Sequence, residues 1–391
     1  MQQLVSRHEH AYVASGARDS AIGTLLVTGG TGFIGGAVLA ELLVSPLWAK
    51  TLILARGNEC ATARERIVQS LQRFYPGLPV AQLVGEHQIV TGGLDDPAFL
   101  ATEARVRRVT HVIHAAAVTS FSASPKIRAI NVDASLEFVR VLGQRAALKR
   151  FLNVGTAWCV GMRGAGVVVE DANPLTSRHV VPYTASKIEF EQEVRARYPE
   201  LAFVTARPSI VVGHTRLGTA PSASIYWVFR SGQLLGRFTA SYDDFVDVVP
   251  VDWVAAALLK LVSKKTLAHD AYHLSAGRSG ASTLGQLDFA IAKGRKSEPN
   301  GRAGYRQVDN AALSSAVYNQ RQRLGDVKPK LLARALCLYG EFARSGTVFD
   351  NTRALEEGIS PPPPFFSYAH TCAETAERSS ISTQMADDFK C

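Results

Sequence analysis

The residues best suited to chemistry are a Tyr, a Lys and a Thr in the middle of the chain. Tyr183 and Lys187 are four residues apart, so on a helix their side chains share one face, about one turn apart. A tyrosine of pKa about 10 is a poor proton donor at neutral pH, and a lysine ammonium beside it favours the phenolate and lowers that pKa. Thr156 directly follows an apolar run and offers a hydroxyl that can hold a carbonyl oxygen. The set predicts proton transfer to a carbonyl compound; the alternative interpretation is an exposed helix face.

A glycine-rich turn, TGGTGFIG at 28–35, lies between an apolar run and a stretch of helical period. Three of its four glycines, Gly29, Gly32 and Gly35, recur at every third position. Glycine tolerates positive φ and lets the backbone approach a pyrophosphate, and the helix N-terminus presents unpaired N–H groups to phosphates. The turn therefore predicts a dinucleotide site, with a simple strand–helix turn as the alternative. The predicted contacts are Gly29, Thr31, Gly32, Phe33, Ile34 and Gly35.

The end of the second apolar run indicates which dinucleotide binds. An acid at this place would bind a ribose 2′-hydroxyl. The sequence instead has Arg56, with no acid adjacent, and a guanidinium suits a 2′-phosphate. Arg64 and Arg66, at the start of the next helical stretch, can assist. We therefore expect NADP(H) rather than NAD(H), with solvated surface arginines as the alternative interpretation.

The elements that position these residues are predicted from the alternation of short apolar runs with stretches of helical period. Such alternation predicts right-handed βαβ units, and runs that are apolar on both faces predict a sheet covered on both sides. The expected fold class is α/β, a Rossmann-type doubly wound parallel sheet with helices on both faces and a smaller, mostly helical C-terminal substrate region. The predicted strands are 24–29, 51–56, 88–93, 111–117, 150–155, 202–208 and 271–277, and the predicted helices are 33–44, 62–74, 126–144, 184–198, 222–238 and 249–262, the last with Asp252 as N-cap.

Composition sets wider limits. The 391 residues carry a formal charge of +9, with 47% hydrophobic and 20% charged residues, which excludes a collagenous or largely disordered chain. Five scattered cysteines without a C-x-x-C pair argue against a disulfide framework and a zinc site, so we expect no metal. No signal peptide and no membrane span are evident, and a cytoplasmic location is expected.

The domain organisation is predicted from where the alternation starts and weakens. We expect an N-terminal arm over 1–22, a cofactor-binding domain with substrate-binding insertions over 23–277, a C-terminal substrate or partner region over 278–373 and a disordered, Ser/Thr-rich tail over 374–391.

Taken together, these strings resemble the extended short-chain dehydrogenase/reductase superfamily over about residues 24–277. The matching strings are TGGTGFIG, VIHAAA, INVDAS, NVGTAWCVG, YTASK and RPSIVVG. The resemblance puts Thr156, Tyr183 and Lys187 at the catalytic positions. It implies that Asn131 braces the active site. The further cofactor contacts that it implies are Leu94, Ala115, Ala116, Tyr183, Lys187, Pro208, Ser209 and Ile210.

One departure concerns the adenine contact. The family often has Gly-Asp-Leu after the third strand, whereas this chain has Gly92-Gly93-Leu94 with Asp95 and Asp96 just beyond. Adenine contacts are therefore expected from the backbone or from a shifted residue.

Several strings resemble one branch more closely, the fatty acyl-CoA reductases, male-sterility proteins and thioester reductase domains. They are LILARG, RPSIVVG, DVVPVDWVAAALL and VFDNTRALEEG. The resemblance implies hydride transfer from NADPH to an acyl thioester on CoA or on an acyl or peptidyl carrier protein, giving an aldehyde or an alcohol. Tyr183 would act as general acid, and Thr156 would help to stabilise the oxyanion.

The substrate and partner surfaces are less sharply marked. Tyr226, Trp227, Phe229 and Phe238 are candidates for an acyl or aryl channel, with core packing as the alternative. Residues 293–334 contain ten Lys or Arg against three acids, which suits CoA or an acidic carrier protein, although an ordinary solvated face is equally compatible. No nucleic-acid motif accompanies this charge.

Two alternative functions stay open. The first is a ketone/alcohol dehydrogenase or a nucleotide-sugar epimerase/dehydratase on the same fold, and the second is a non-catalytic NADP-binding regulator. A monomer and a homodimer are both compatible with the sequence.

Overall fold

A seven-stranded parallel sheet forms the centre of the molecule. The computed structural model describes residues 22–97, 99–120, 123–171, 177–222, 224–294 and 305–388. The strands of the sheet are β1 (Thr24–Thr28), β2 (Thr51–Ala55), β3 (Ile89–Thr91), β4 (Val109–His114), β5 (Arg150–Val154), β6 (Phe203–Pro208) and β7 (Ala271–Leu274). Their spatial order is β7-β6-β5-β4-β1-β2-β3, and every neighbouring pair is parallel. This confirms the predicted doubly wound α/β fold, in which the order reverses between β1 and β4.

Helices cover both faces of this sheet, and the strands are therefore buried on both sides. All five residues of β2, for example, are buried. The longer helices are α1 (Phe33–Leu43), α2 (Cys60–Phe74), α3 (Ser135–Arg145), α4 (Pro182–Arg197), α5 (Tyr226–Leu235), α6 (Val251–Ser263), α7 (Leu284–Gly294), α8 (Asn310–Asn319), α9 (Pro329–Arg344), α10 (Ala369–Ala376) and α11 (Ile381–Asp388). Side chains of α1, α2 and α6 pack in the core on one face, and those of α3 and α4 pack in the core on the other.

Shorter elements connect these parts. The short helical segments are Pro46–Lys50, Val80–Gln82, Glu86–Gln88, Phe99–Thr102, Ala104–Arg108, Pro125–Arg128, the π-helical Ala129–Ala134, Ala157–Val160, Gly277–Gly280, Arg321–Leu324, Thr352–Glu356 and Phe365–Ser367. The two-stranded ladders pair Gly166–Val168 with Thr347–Phe349, Ile210–Val211 with Val248–Val249, Arg237–Phe238 with Arg306–Gln307 and Phe245–Val246 with Ser282–Thr283.

A second, mostly helical core lies beside the sheet. Helices α5 and α7 to α11 bury their apolar side chains in it, among them Trp227, Leu287, Leu336 and Cys372. Helix α5 precedes the boundary predicted at residue 277, yet it packs with helices that follow that boundary. The second core is therefore assembled from two separated parts of the chain.

The disordered tail predicted from residue 374 is wrong as far as residue 388. Helix α10 continues to Ala376 and helix α11 spans Ile381–Asp388, with Ile381 and Met385 buried in the second core. These two apolar residues are four apart and share a helix face, a pattern that the surrounding Ser and Thr residues obscure in the sequence. The predicted arm over 1–22 lies outside the described residues apart from Ile22, which is buried.

The predicted N-cap of α6 is also wrong. Pro250 takes that place, and Asp252 lies within the first turn, where its carboxylate accepts a hydrogen bond from the Thr215 backbone N–H at 3.1 Å. Within the described ranges, no helix is both long and apolar enough to cross a membrane.

Candidate active site

The three predicted catalytic residues come together at the carboxyl edge of the sheet. Thr156 lies two residues beyond β5, where it caps the short segment Ala157–Val160 and its Oγ1 accepts a hydrogen bond from the Trp158 backbone N–H at 3.3 Å. Tyr183 is the second residue of α4, directly after Pro182, a residue favoured at the first position of a helix. Thr156 and Tyr183 line one cavity, so the structure places a threonine hydroxyl and a phenol against the same space.

Lys187 lies one turn further along α4 and is buried. Its Nζ donates a hydrogen bond to the Val154 carbonyl oxygen at 2.8 Å, which ties the helix to the end of β5, and lies 6.0 Å from the centroid of the Tyr183 ring. Burial lowers the pKa of Lys187 to about 8, while the Glu191 carboxylate, a further turn along, acts in the opposite direction. The ammonium is therefore retained only up to mildly alkaline pH.

The pKa of Tyr183 departs from the sequence-based expectation. Burial raises this pKa above its ordinary value, and the neighbouring Cys159 acts in the same direction. The structure therefore does not show the expected decrease in the pKa of Tyr183. Removal of the phenolate from water disfavours it more than Lys187 at this distance favours it. The phenol is protonated at neutral pH, the form in which a general acid acts.

A buried ion pair supports this face of α4. The Arg207 Nη2 and the Glu191 Oε2 are 2.6 Å apart, and both side chains are almost fully buried. Arg207 also donates to the Glu170 carbonyl oxygen at 2.9 Å. Glu191 is thus held in place, and its charge acts on Lys187.

Asn131 braces the site from the opposite helix, as the family resemblance implies. Its Oδ1 accepts from the Val118 N–H at 2.7 Å, and its Nδ2 donates to the Val118 carbonyl and to the Ser186 Oγ, each at 3.0 Å. The amide thereby connects the loop after β4 to the helix that carries Lys187.

The cavity beside Thr156 and Tyr183, called the catalytic cavity below, has a volume of about 80 Å³ and mainly apolar walls. Phe229 and Phe238 line it, as expected for an acyl or aryl channel. Tyr226 and Trp227 do not line it. They are fully buried in the second core, which agrees with the alternative interpretation of core packing.

Three aromatic residues of this wall were missed in the sequence. Trp158 follows Thr156 by two residues in a string already singled out, and its ring packs edge-on to Phe342 with 4.8 Å between centroids. Tyr339 and Phe342 belong to α9, far along the chain. The only sequence signal for them is the amphipathic pattern of α9, which does not show what that helix faces.

The glycine turn has the geometry that a dinucleotide requires. Gly29 has φ +74°, and a Cβ there would lie 2.5 Å from the Ala115 carbonyl carbon. A Cβ on Gly35 would overlap the Gly29 carbonyl, so α1 packs closely against β1. Gly32 is the N-cap of α1 and has no side chain to bond the first-turn N–H groups. This combination fits a phosphate-bearing cofactor.

The end of β4 lies against this turn, which brings two further predicted cofactor residues beside it. The Ala115 N–H donates to the Thr28 carbonyl at 3.3 Å, and the Ala116 N–H donates to the Thr28 Oγ1 at 3.2 Å. The same hydroxyl is 3.0 Å from the Nδ1 of buried His114. Burial and the charge of Lys187 lower the pKa of His114 to about 3, so this ring is a neutral structural group.

Two arginines meet at the end of β2. Arg56 is exposed, and the half-buried Arg66 reaches back to donate from its Nη1 to the Arg56 carbonyl oxygen at 2.8 Å. Neither side chain forms an ion pair with an acid among the described residues.

The remaining predicted cofactor residues occupy different settings. Thr31, Phe33 and Ile34 lie partly exposed on the glycine turn and the first turn of α1. Leu94 is buried in the core beneath β3, and Pro208 ends β6.

Beyond Pro208, the chain turns towards the catalytic cavity. Ser209 is buried, with its N–H bonded to the Leu274 carbonyl at 3.0 Å, and Ile210 lines the catalytic cavity. The cofactor contacts of all these residues remain predictions.

Fold and site together define a class, the extended short-chain dehydrogenases/reductases, a class of oxidoreductases. Within it, the chain belongs to the family described as male sterility protein, whose model matches residues 27–258.

Similarity to individual proteins agrees with this assignment. The chain is 24% identical over 328 residues to the non-canonical nonribosomal peptide synthetase FrzA of Cladobotryum sp., covering 80% of this chain and 31% of that protein. It thus spans under a third of that relative's length.

Two solved structures share the fold over nearly the whole chain. The terminal R domain from the myxalamid PKS-NRPS biosynthetic pathway is similar with a TM-score of 0.73 and 20% identity, covering 96% of this chain and 98% of that one. A thiolation-reductase di-domain from an archaeal non-ribosomal peptide synthetase is similar with a TM-score of 0.69 and 16% identity, covering 92% and 77%.

Proposed function

We propose that this protein is an NADPH-dependent reductase that converts the carbonyl of an acyl thioester to an aldehyde, or in a second round to an alcohol. The observation that carries the proposal is the catalytic cavity, in which the Tyr183 phenol and the Thr156 hydroxyl meet an apolar channel at the edge of the sheet where the glycine turn lies. An apolar channel suits the acyl group, and two hydroxyls suit its carbonyl oxygen.

Each catalytic side chain has a role that its contacts support. Thr156 already accepts a hydrogen bond from the Trp158 N–H, so its own hydrogen is available for the substrate oxygen. Tyr183, kept protonated by burial, donates a second hydrogen bond and then the proton as charge develops on that oxygen. Lys187, anchored on Val154, supplies positive charge close to the phenol.

When bound, the nicotinamide cofactor supplies the hydride. The tetrahedral thiohemiacetal then collapses, its C–S bond breaks, and the thiol leaves with a proton. Per aldehyde formed, one hydride and one proton are consumed and one free thiol is released. The apolar walls contributed by Phe229, Phe238 and Phe342 limit the access of water to the reacting carbon.

NADPH is proposed over NADH because of the pair of arginines at the end of β2. Arg56 is exposed and Arg66 is held against its carbonyl, so two guanidinium groups lie where the adenosine ribose of a dinucleotide is expected. A 2′-phosphate would receive charge-assisted hydrogen bonds there.

A thioester carried on an acidic carrier protein, or on CoA, is the proposed form of the substrate. One structure of the same fold is a thiolation-reductase di-domain, and the chain is similar to a nonribosomal peptide synthetase. Exposed cations on the second core also suit such a partner. We define the basic surface as Arg321, Arg323, Lys328, Lys330 and Arg334, which lie on or between α8 and α9.

The proposal is tested by measuring the oxidation of NADPH and of NADH. The substrates are acyl thioesters of N-acetylcysteamine, CoA and carrier protein, together with free aldehydes and ketones. The products are identified in each case. We expect NADPH-dependent release of aldehyde or alcohol and a free thiol. Turnover of ketones with no thioester reduced would overturn the substrate class.

Tyr183→Phe tests the assigned chemistry. We expect a loss of kcat of about a hundredfold or more, because general acid catalysis contributes on that scale. Tyr198→Phe, at the C-terminal end of the same helix, is the matched control and should keep its kcat. Undiminished turnover by Tyr183→Phe would contradict the mechanism.

A further inference from the structure

A second, smaller cavity of about 30 Å³ lies directly behind the catalytic cavity, between α5 and α7. We call it the distal cavity. The two cavities share four wall residues, Val228, Phe229, Phe238 and Leu284. The two cavities therefore adjoin at these four residues.

Gly232 forms part of the wall of the distal cavity, and its position in a helix calls for an explanation. It is buried in the interior of α5, where glycine is less favourable than alanine by about 1 kcal/mol. A Cβ built on Gly232 would have one described atom within 4 Å, the Phe238 Cδ2 at 4.0 Å. Neither a close backbone approach nor a positive φ requires glycine here. The absence of a side chain at Gly232 leaves space in the distal cavity.

Asp288 and Gln233, two of the three polar side chains that border this space, have partners of their own. The Asp288 Oδ2 accepts a hydrogen bond from the Tyr242 hydroxyl at 2.8 Å, and the Gln233 Nε2 donates to the Asp288 carbonyl oxygen at 3.2 Å. The remaining wall is formed by Gly232, Ile291, the four shared residues and Tyr305, whose buried hydroxyl has no hydrogen-bond partner among the described residues. The distal cavity therefore suits a hydrocarbon group rather than a charged one.

We propose that the distal cavity receives the far end of the substrate's acyl chain, with Gly232 setting its depth and Phe238 the passage into it. This inference rests on the proposed function, since it names the part of the thioester that the site distinguishes. Chains that end in the catalytic cavity do not reach Gly232, and longer ones do. The protein therefore selects for acyl length at a place distant from the reacting carbonyl.

The test is the dependence of kcat/KM on acyl length, measured with saturated N-acetylcysteamine thioesters from acetyl to palmitoyl. A Cβ on Gly232 fills the space without a clash, so Gly232→Ala should lower the ratio of kcat/KM for the longest accepted chain to that for acetyl by about tenfold or more, the scale of one methylene group in a fitted pocket. Phe238→Leu should move the optimum towards longer chains. An unchanged length profile in both variants would overturn the inference.

Gly143→Ala is the matched control. Gly143 is also inside a helix, and a Cβ there would meet nothing within 4 Å, but it lies on the exposed face of α3. The dependence of kcat/KM on acyl length should be the same in Gly143→Ala as in the unaltered protein. If Gly143→Ala and Gly232→Ala change the profile equally, the effect is one of helix stability and the inference is wrong.

A binding measurement separates this inference from the proposed function. Primary alcohols of the same chain lengths are titrated calorimetrically in the presence of NADP⁺, which requires no turnover. Weaker binding of long alcohols to Gly232→Ala, in a protein that reduces no thioester, would support the distal cavity and refute the thioester activity. Thioester reduction with an unaltered alcohol series would support the activity and refute the distal cavity.

Discussion

Lys187 combines two opposing influences at one nitrogen atom. Burial lowers its pKa to about 8, and the carboxylate of Glu191 limits that decrease. Glu191 is itself held by Arg207, so the protonation of the active-site lysine depends on an ion pair that touches neither the cavity nor the glycine turn. In the proposed mechanism, the pH range of activity is thereby set one helical turn away from Lys187.

We predict an alkaline decline in kcat as Lys187 loses its proton. Because the pKa of Lys187 is lowered from 10.5 to about 8, its side chain is fully protonated well below pH 8 and loses its proton as the pH rises through that value. The kcat of thioester reduction should therefore be constant at neutral pH and fall above about pH 8 in a pH–rate profile. Glu191→Gln removes the influence that raises this pKa and should move the decline to lower pH.

Glu189→Gln serves as the control for that profile. Glu189 is on the same helix, but it pairs with Arg128 on the outside of the molecule at 2.7 Å, so its removal should leave the decline near pH 8. A kcat that stays constant beyond pH 9 in the unaltered protein would show that Lys187 does not act as an ammonium.

At the scale of elements, Arg150 connects the start of β5 to the end of α6. The last carbonyls of a helix have no partners within it. The Arg150 Nη1 donates to the Leu261 carbonyl at 2.8 Å and to the Val262 carbonyl at 3.3 Å, and the guanidinium also bonds the carbonyls of Lys264 and Lys265. One buried guanidinium thus closes a helix end and fixes that helix on the sheet.

Arg150→Met should lower the free energy of unfolding by about 1.5–3 kcal/mol, the range for a hydrogen bond to a charged group, because several helix carbonyls lose their donor. Methionine retains most of the apolar stem, so the loss reports on the guanidinium. Chemical denaturation followed by circular dichroism measures it. Lys149→Met, at the exposed neighbouring position, should change stability little, and an equal loss in both variants would contradict this role.

The sequence was sufficient for the strands of the sheet and for the three residues that meet at its carboxyl edge, because both are encoded locally; the catalytic role of those residues stays a prediction. Apolar runs between periodic stretches predicted all seven strands of the sheet, and short spacings identified Thr156, Tyr183 and Lys187. The walls of the cavity are different. Tyr339 reaches it from α9 through its ring contact with Trp227 of α5, and Phe342 reaches it through its ring contact with Trp158. No local pattern encodes these long-range contacts. The helical tail was missed for another reason, because Ser and Thr residues obscure its apolar positions.

At the scale of the whole molecule, the sheet carries the glycine turn, and the second core carries most of the apolar walls of the catalytic cavity. Thr156 and Tyr183 bound this cavity from the sheet side, Phe229 and Tyr339 bound it from the second core, and Phe342 belongs to a smaller cluster with Trp158. The basic surface belongs to the second core, where it is separate from the arginines at the end of β2. Positive charge is thus presented at two places, which suits two phosphate-bearing or acidic ligands.

The basic surface should govern the affinity for a carrier-bound substrate and not the chemistry. Its five cations are exposed, and none forms an ion pair with an acid among the described residues, so an acidic carrier would be attracted in a salt-dependent way. We predict that the double variant Arg321→Glu/Arg323→Glu raises the KM for carrier-bound acyl groups by about tenfold or more and leaves the kcat/KM for N-acetylcysteamine thioesters unchanged.

Arg107→Glu/Arg108→Glu makes the same change in charge just before β4, at the amino edge of the sheet and therefore opposite the site. This control removes long-range attraction equally but alters no docking contact, so its effect on the carrier KM should be small and should vanish at high salt. A comparable rise in KM for both double variants would show that net charge alone attracts the carrier. No rise in either would place the docking site elsewhere.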